Sequence, residues 1–309
     1  MREKYQSSMY QPDDFARLVK FIAEARKPDK LSRYPSFTDF EEMMASMDIE
    51  THTRLWFDDS GRLVGYSLVD NRNNNIWFEV DPKLDTSQLD EKMLVWGIQR
   101  FKDWKTNRAV EVDATLDTNC DEDELARIAL LKAHGFIPQD LMTLHLERSL
   151  TEPIPPVEFP SGYAIRPVAG ECEVDDVLAL YHAAYGTDRM TREELLSIMR
   201  TSTYERELDL VAISVNGHII GLCTCGMDVS LNQKLPRKEG WTDPILVHPD
   251  HQKLGLSCAL IHRGWQLLKS RGIEVAVLGT SSQNAKGVAA FTNAGYHITY
   301  RKPWFSLSV

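Results

Sequence analysis

The sequence predicts an α/β fold: a mixed sheet flanked by helices, built twice in tandem. Three observations carry this expectation. Strand-like alternation and helix-like spacing follow one another in the same order in both halves of the chain. A proline-rich stretch, Thr151 to Gly162, separates the halves. Short signatures also recur: Val80-Asp81-Pro82 matches Val247-His248-Pro249, and His134-Gly135-Phe136 matches Ala294-Gly295-Tyr296.

Taken in order, Tyr5 to Tyr10 reads as a strand. Pro12-Asp13-Asp14 then opens a helix carrying Phe15, Leu18, Val19 and Ile22 at helical spacing, and a second helix follows Ser36. Strands are expected at Thr53–Phe57, Leu63–Val69 and Ile76–Val80, divided by the turn signals Asp58 to Gly61 and Asn71 to Asn75. A helix from Ser87 to Trp104, a strand from Ala109 to Ala114, a helix from Glu122 to Ala133 and strand-like patterns over Phe136–Leu146 complete the first copy. The second copy repeats the order. It has a strand at Tyr163–Val168, helices at Glu173–Tyr185 and Thr191–Met199, and a hairpin of Leu208–Val215 with Ile219–Cys225 through Asn216-Gly217. The box Thr191-x-x-Glu194 caps its second helix. A strand at Trp241–Val247, a helix to Ser270, a strand at Val275–Leu278, a helix at Asn284–Asn293 and closing strands over Tyr296–Val309 follow. The expected division is therefore 1–150, a linker at 151–162, and 163–309.

The chain has 309 residues, 43% of them hydrophobic, which suits two ordinary cores better than one. A net charge of −10 argues against a nucleic-acid partner and suits a cationic one. Five scattered cysteines, Cys120, Cys172, Cys223, Cys225 and Cys258, do not form a disulfide framework. No apolar run approaches membrane-spanning length, and the N-terminus lacks an apolar signal core. A soluble cytoplasmic protein with no membrane partner is expected, of open oligomeric state.

Chemistry concentrates where the apolar run Ile245-Leu246-Val247 stops at Pro249 and a helix begins after Gly255. The first turn of a helix has N–H groups without intrahelical partners and a positive dipole end, which suits phosphate. Lys253 adds a full charge, and Gly255 lets an anion approach the main chain. No Walker loop or dinucleotide fingerprint is present.

The spacing Gln252-x-x-Gly255-x-Ser257, preceded by Val247-x-Pro249, resembles the Gln/Arg-x-x-Gly-x-Gly/Ala signature of the GNAT N-acetyltransferase superfamily, with Ser at the last position. A second motif, Asn284 to Tyr296 with Phe291 and Gly295, resembles the family's Asn-x-x-Ala-x-x-x-Tyr-x-x-x-Gly-Phe. The repeat of elements is similar to the tandem two-domain type, the architecture of mycothiol synthase. The resemblance implies two GNAT-like domains. The C-terminal one binds acetyl-CoA as cosubstrate, without a metal, and moves its acetyl group directly to an amine, expected to be a small molecule. Cofactor contacts would come from Gln252, Lys253, Leu254, Gly255, Leu256 and Ser257 at the pyrophosphate, from main-chain groups of Leu246 and Val247 along the pantetheine, and from Asn284 and Phe291. Asn284 reads equally as a plain helix N-cap. Phe291 stands where the family often has a tyrosine acid and has no proton to give. Other readings stay open: a silent acyl-CoA sensor or interaction protein, and an enzyme acting on protein amines.

A primary amine with a pKa near 10 needs a base. Asp243 is the leading candidate, set beside the reading of an aspartate held in a turn or salt bridge, with Glu239 in reserve. On a regular strand Asp243 and Trp241 share the side of Val247, and Trp241 either lines an acceptor pocket or packs in the core. Tyr181 and Tyr300 are candidate substitutes for the missing acid. Arg237-Lys238 reads as a solvated pair or as a contact to the nucleotide. His248 and His251 lack further ligands for zinc, Cys223 and Cys225 read as buried thiols, and Cys258 as packing or a low-pKa thiol. In the N-terminal copy no glycine follows Pro82, and Asp85, Asp90 and Glu91 stand where a pyrophosphate would lie. Each such charge opposes a phosphate by about 4 kcal/mol near a protein surface, so that copy is expected to be degenerate.

Overall fold

The computed structural model describes residues 5–27, 30–31, 33–84, 87–107 and 114–309. The chain falls into two compact units, Met1–Met142 with Lys302–Val309, and Thr143–Arg301. The expected strand at 109–114 lies, except for Ala114, outside the described residues.

The first unit contains β1 (Gln6–Met9), α1 (Phe15–Ala25), α2 (Phe37–Ser46), the single turn α3 (Ile49–His52), β2 (Thr53–Phe57), β3 (Leu63–Asp70) and β4 (Asn75–Val80). Then come α4 (Ser87–Asn107), β5 (Thr115–Asn119), α5 (Leu125–Ala133) and the start of β6 (Ile137–Ser149). Its strands run β1-β2-β3-β4-β5, and the end of the chain lies beside β5. Ser36 opens α2 with a capping box closed by Asp39. Val64, Ile76, Phe78, Met93, Phe101 and Leu131 form a core between sheet and helices.

The second unit holds β7 (Ala164–Pro167), α6 (Val174–Tyr185), α7 (Arg192–Met199), β8 (Asp209–Ile213), β9 (Ile219–Gly226) and the single turn α8 (Val229–Asn232). It continues with β10 (Glu239–Val247), α9 (Leu256–Ser270), β11 (Val275–Ser281), α10 (Ala285–Ala294) and β12 (His297–Ser308). Its strands run β6-β11-β10-β9-β8-β7, with β10 and β11 parallel and the others antiparallel. The box expected at Thr191 forms, with Glu194 N–H donating to its hydroxyl at 3.2 Å. The β8–β9 turn closes at Gly217, whose φ of 82° is the left-handed conformation that the Asn-Gly pair supplies. One face of this sheet packs Leu146, Ala276, Cys225, Val247, Leu260, Trp265 and Phe291, and the other packs Leu222 and Leu246 against α6 and α7. No helix among the described residues is long and apolar enough to cross a membrane.

Two expectations change. The patterns over Phe136–Leu146 and Tyr296–Val309 are each one long strand, β6 and β12. Each strand is also shared between the units, so the units do not divide at the proline-rich linker. Thr143–Ser149 of β6 pairs with Ser281–Val275 of β11 in the second unit, and Trp304–Ser308 of β12 pairs with Asn119–Thr115 of β5 in the first. A local period of two reports alternation but not which sheet a strand joins. Phe305, 2% exposed, therefore belongs to the core of the N-terminal unit. Phe305→Ala is expected to cost about 3–5 kcal/mol of stability, measured by denaturant unfolding, although the residue lies near the far end of the chain.

Candidate active site

The site is a gap between two parallel strands. β10 and β11 pair at Glu239/Val275, Gly240/Ala276 and Trp241/Val277 and then part. On its other side β10 stays paired with β9 up to Val247/Gly221. A bulge sets Asp243 and Pro244 against the single residue Thr224. Gly279 of β11 is exposed, and a Cβ added there would meet nothing within 4 Å. His248 N–H donates to Ile220 C=O at 2.8 Å. The antiparallel alternation then turns Leu246 toward β9 and leaves the N–H and C=O of Val247 facing the gap. Of the two main chains singled out from the sequence, Val247 therefore faces the gap and Leu246 does not.

At the mouth of the gap the chain turns through Pro249–His251, and Lys253 and Gly255 follow with φ of 64° and 78°. Gly255 heads α9 as its N-cap, and a Cβ there would stand in open space. The first intrahelical bond runs from Ala259 N–H to Gly255 C=O at 3.1 Å. The N–H groups of Gly255, Leu256, Ser257 and Cys258 precede it. Gln252 donates back to Val247 C=O at 3.4 Å, and the Tyr163 hydroxyl lies 3.1 Å from His251 Nδ1. Leu256 anchors the helix in the core, whereas Lys253 and Leu254 project into solvent. At Gly264 a Cβ would stand 2.6 Å from Cys225 Sγ, so glycine allows α9 to lie flat on the sheet.

The bulge also redistributes the side chains of β10. Because it adds a residue, Trp241 falls on the Leu246 face and not on that of Val247, which corrects the period-two expectation. The Trp241 ring lies over Gly226, where a Cβ would come within 2.3 Å of it. Asp243 is exposed within the bulge. Its charge reaches Tyr185, the last residue of α6, whose phenol is pushed up to about 12 by burial first and Asp243 second. Nothing local to Tyr185 in the sequence marks it, because only the fold brings it under the charge of Asp243. Glu239 is buried, with Arg237 Nε 2.9 Å away, and Arg237 also contacts Glu147 at 2.6 Å. Arg237 is thus a partly exposed bridge between two carboxylates. His145, 3.6 Å from Glu147, stacks on Tyr300 with centroids 4.4 Å apart.

Asn284 caps α10, accepting from Gly287 N–H at 3.0 Å and donating to Thr280 Oγ1 at 3.2 Å. Glycine at 287 follows from this cap: a Cβ would stand 2.2 Å from Asn284 Nδ2. Phe291 packs in the core, 9% exposed. Tyr181 is buried among α6 and α7 contacts. The buried Tyr296 hydroxyl accepts from Trp265 Nε1 at 2.9 Å, and burial drives its pKa far above the usual range, so it serves packing. Cys223 and Cys225 are buried thiols 3.7 Å apart, and burial raises the Cys258 thiol, against a low-pKa role. No group of three or more His, Cys, Asp or Glu among the described residues is placed to hold a metal ion.

One prediction concerns the ion pairs. Burial opposes ionisation of Glu147, but hydrogen bonds and charge from His145 and Arg237 prevail and hold its pKa at about 2 against 4.5. A depressed carboxylate stabilises the fold above its unfolded pKa, and that contribution is lost as pH falls from 4.5 toward about 2. Acid unfolding of Glu147→Gln, followed by circular dichroism, is expected to depend less on pH across that window than the parent protein.

Comparison with known proteins agrees with this geometry. Residues 174–296 match the family described as Acetyltransferase (GNAT) family. Over 61 residues the chain is 36% identical to "Acetyl transferase GW6a" of Oryza sativa subsp. japonica, a match spanning 20% of this chain and 15% of that protein. A GCN5-related N-acetyltransferase from Sphaerobacter thermophilus shares the fold at a TM-score of 0.75, with 19% identity, over 99% of this chain and 96% of that one. A tandem GNAT protein from the clavulanic acid biosynthesis pathway shares it at 0.70, with 14% identity and 98% of each chain covered. Residues 174–296 thus match the GNAT acetyltransferase family, and the chain as a whole shares the doubled fold of solved GNAT proteins, a tandem one among them.

Proposed function

We propose that the C-terminal unit transfers an acetyl group from acetyl-CoA to the amine of a small molecule. The observation that carries this reading is the parting of β10 from β11 immediately beside the left-handed turn that heads α9. A diphosphate fits the N–H groups of the turn and first helical turn, Gln252 to Ser257, with the Lys253 charge beside it. The pantetheine arm lies along the edge of β10 that β11 leaves open and bonds the main chain of Val247 as an added strand would. Leu246 contributes through its side chain to the α6 and α7 face. Asn284 and Phe291 support the site from α10 as cap and packing group.

Acetyl-CoA supplies an activated thioester. The Val247 N–H aims at the place where negative charge develops on the carbonyl oxygen. The amine must lose a proton, and Asp243, exposed in the bulge, takes it through water. Trp241 and Tyr185 border the acceptor, and an acidic chain of net charge −10 favours a cationic one. A thiolate leaves readily near neutrality because its conjugate thiol has a pKa near 8.5, so Phe291 at the tyrosine position is no obstacle.

Gly255→Glu is expected to weaken acetyl-CoA binding by about 100-fold or more, the loss of charge-assisted contacts plus a new repulsion. Gly255→Ala carries the same backbone strain without the charge and separates the two effects in calorimetric titration. Unchanged affinity in Gly255→Glu refutes the diphosphate assignment. Asp243→Asn is expected to lower kcat by about 10²- to 10⁴-fold with acetyl-CoA affinity retained, measured as CoA release with a panel of amines. Binding without turnover on any amine favours an acyl-CoA sensor, and turnover on peptide amines alone favours a protein acetyltransferase.

A further inference from the structure

The N-terminal unit has the same parting of strands with different contents. β4 and β5 are parallel and pair at Asn75/Asp117, and beyond that point they open into a cavity of about 110 Å³. Aligned on the glycines that end α5 and α10, Arg127 stands where the second copy has Gly287. Arg127 Nη1 donates to Phe78 C=O at 2.7 Å, and the guanidinium lies 4.2 Å above the Phe78 ring. Aligned on Val80 and Val247, Phe78 corresponds to Ile245, so this carbonyl belongs to the edge a pantetheine arm would follow, and Arg127 already occupies it. Asp90, expected only to repel phosphate, lies 3.8 Å from the same Arg127.

The walls of this cavity are rich in positive charge. Arg26 binds Glu79 through both carboxylate oxygens, at 2.8 and 3.0 Å from its Nε. Lys30, at 2.8 Å, and Arg33 both contact Asp121. Lys302, on β12, makes no ion pair or hydrogen bond with a described residue. Counting Arg127 and Lys302, five cations line the cavity with the carboxylates of Glu79, Asp121 and Glu124, while Asp39 and Asp90 stand behind Lys302 and Arg127. Tyr34 and Trp77, edge to face at 5.1 Å, add an aromatic wall. A dry cavity of about 150 Å³ admits benzene, so this one has room for a single compact group.

We propose that this cavity is a second ligand site, which binds a small oxyanion, a carboxylate or phosphate group on a compact molecule, through Lys302 with Arg26 and Arg33 adding charge. The state of Lys302 agrees with a missing counter-ion. Burial first, then Arg33 and Arg26, lower its ammonium to about 8. The groups that face it are Arg26 and Arg33 from the segment after α1, Asp39 from α2, Glu79 from β4, and Cys120 and Glu124 between β5 and α5. A bound anion favours the charged lysine. Binding is therefore strongest below this pKa and declines as pH rises through about 8.

The test is calorimetric titration of the full-length protein with inorganic phosphate and, separately, with acetate, which distinguishes the two sources of the oxyanion. Saturable binding of either, weakened about tenfold or more in Lys302→Met and retained in Lys302→Arg, supports the site. In the acetate arm the decline of affinity with pH across about 8 is expected in the parent and absent in Lys302→Arg. Circular dichroism establishes that each variant is folded. Absence of binding by both anions, or binding that Lys302→Met leaves unchanged, overturns the proposal.

Discussion

The parting of β10 from β11 is the constraint on which the C-terminal unit depends. Sheet strands normally satisfy N–H and C=O groups on both sides, and an unpaired buried group costs about 1–3 kcal/mol. Here β10 stays paired with β9 on both sides of its bulge while its other edge, beyond Trp241, is left to the gap. The arrangement holds because each face of the sheet is anchored independently: Val247 packs into the α9 and α10 core, and Leu246 packs against α6 and α7. The bulge at Asp243 and Pro244 reconciles those two demands along one strand. The glycine at 264 lets α9 approach closely enough to set its N-terminus at the mouth of the gap.

The two copies answer the same strand geometry in opposite ways. In the second, Gly287 at the head of α10 leaves room for Asn284 to fold over it as a cap. In the first, Arg127 at the corresponding place donates to one carbonyl of the open edge of β4, that of Phe78. A charged side chain replaces the absence of one.

Much of this was legible in the residues. The order of elements, the Asn-Gly hairpin, the Thr191 capping box and the turn from Val247 to Gly255 all follow from local pattern, and the structure reproduces them. The illegible parts share a cause. Trp241 changed faces because a bulge is invisible to a count of two. Arg237 became a bridge because Glu147 comes from a strand far away in sequence. Tyr185 comes under the charge of Asp243 only after α6 packs beside β10.

What the sequence determined by itself, then, is whatever depends on neighbours within a few residues: helix starts, turns, period and the phosphate-suited turn at Gly255. Tertiary structure alone decided which sheet each long strand completes and which edge of β10 is left open. It also brought Lys302 to the cavity lined by Arg26 and Arg33. The physical reason is that backbone dihedrals and capping are local energies, whereas strand pairing, burial and the electrostatic surroundings of a charge are summed over residues that only the folded chain brings together.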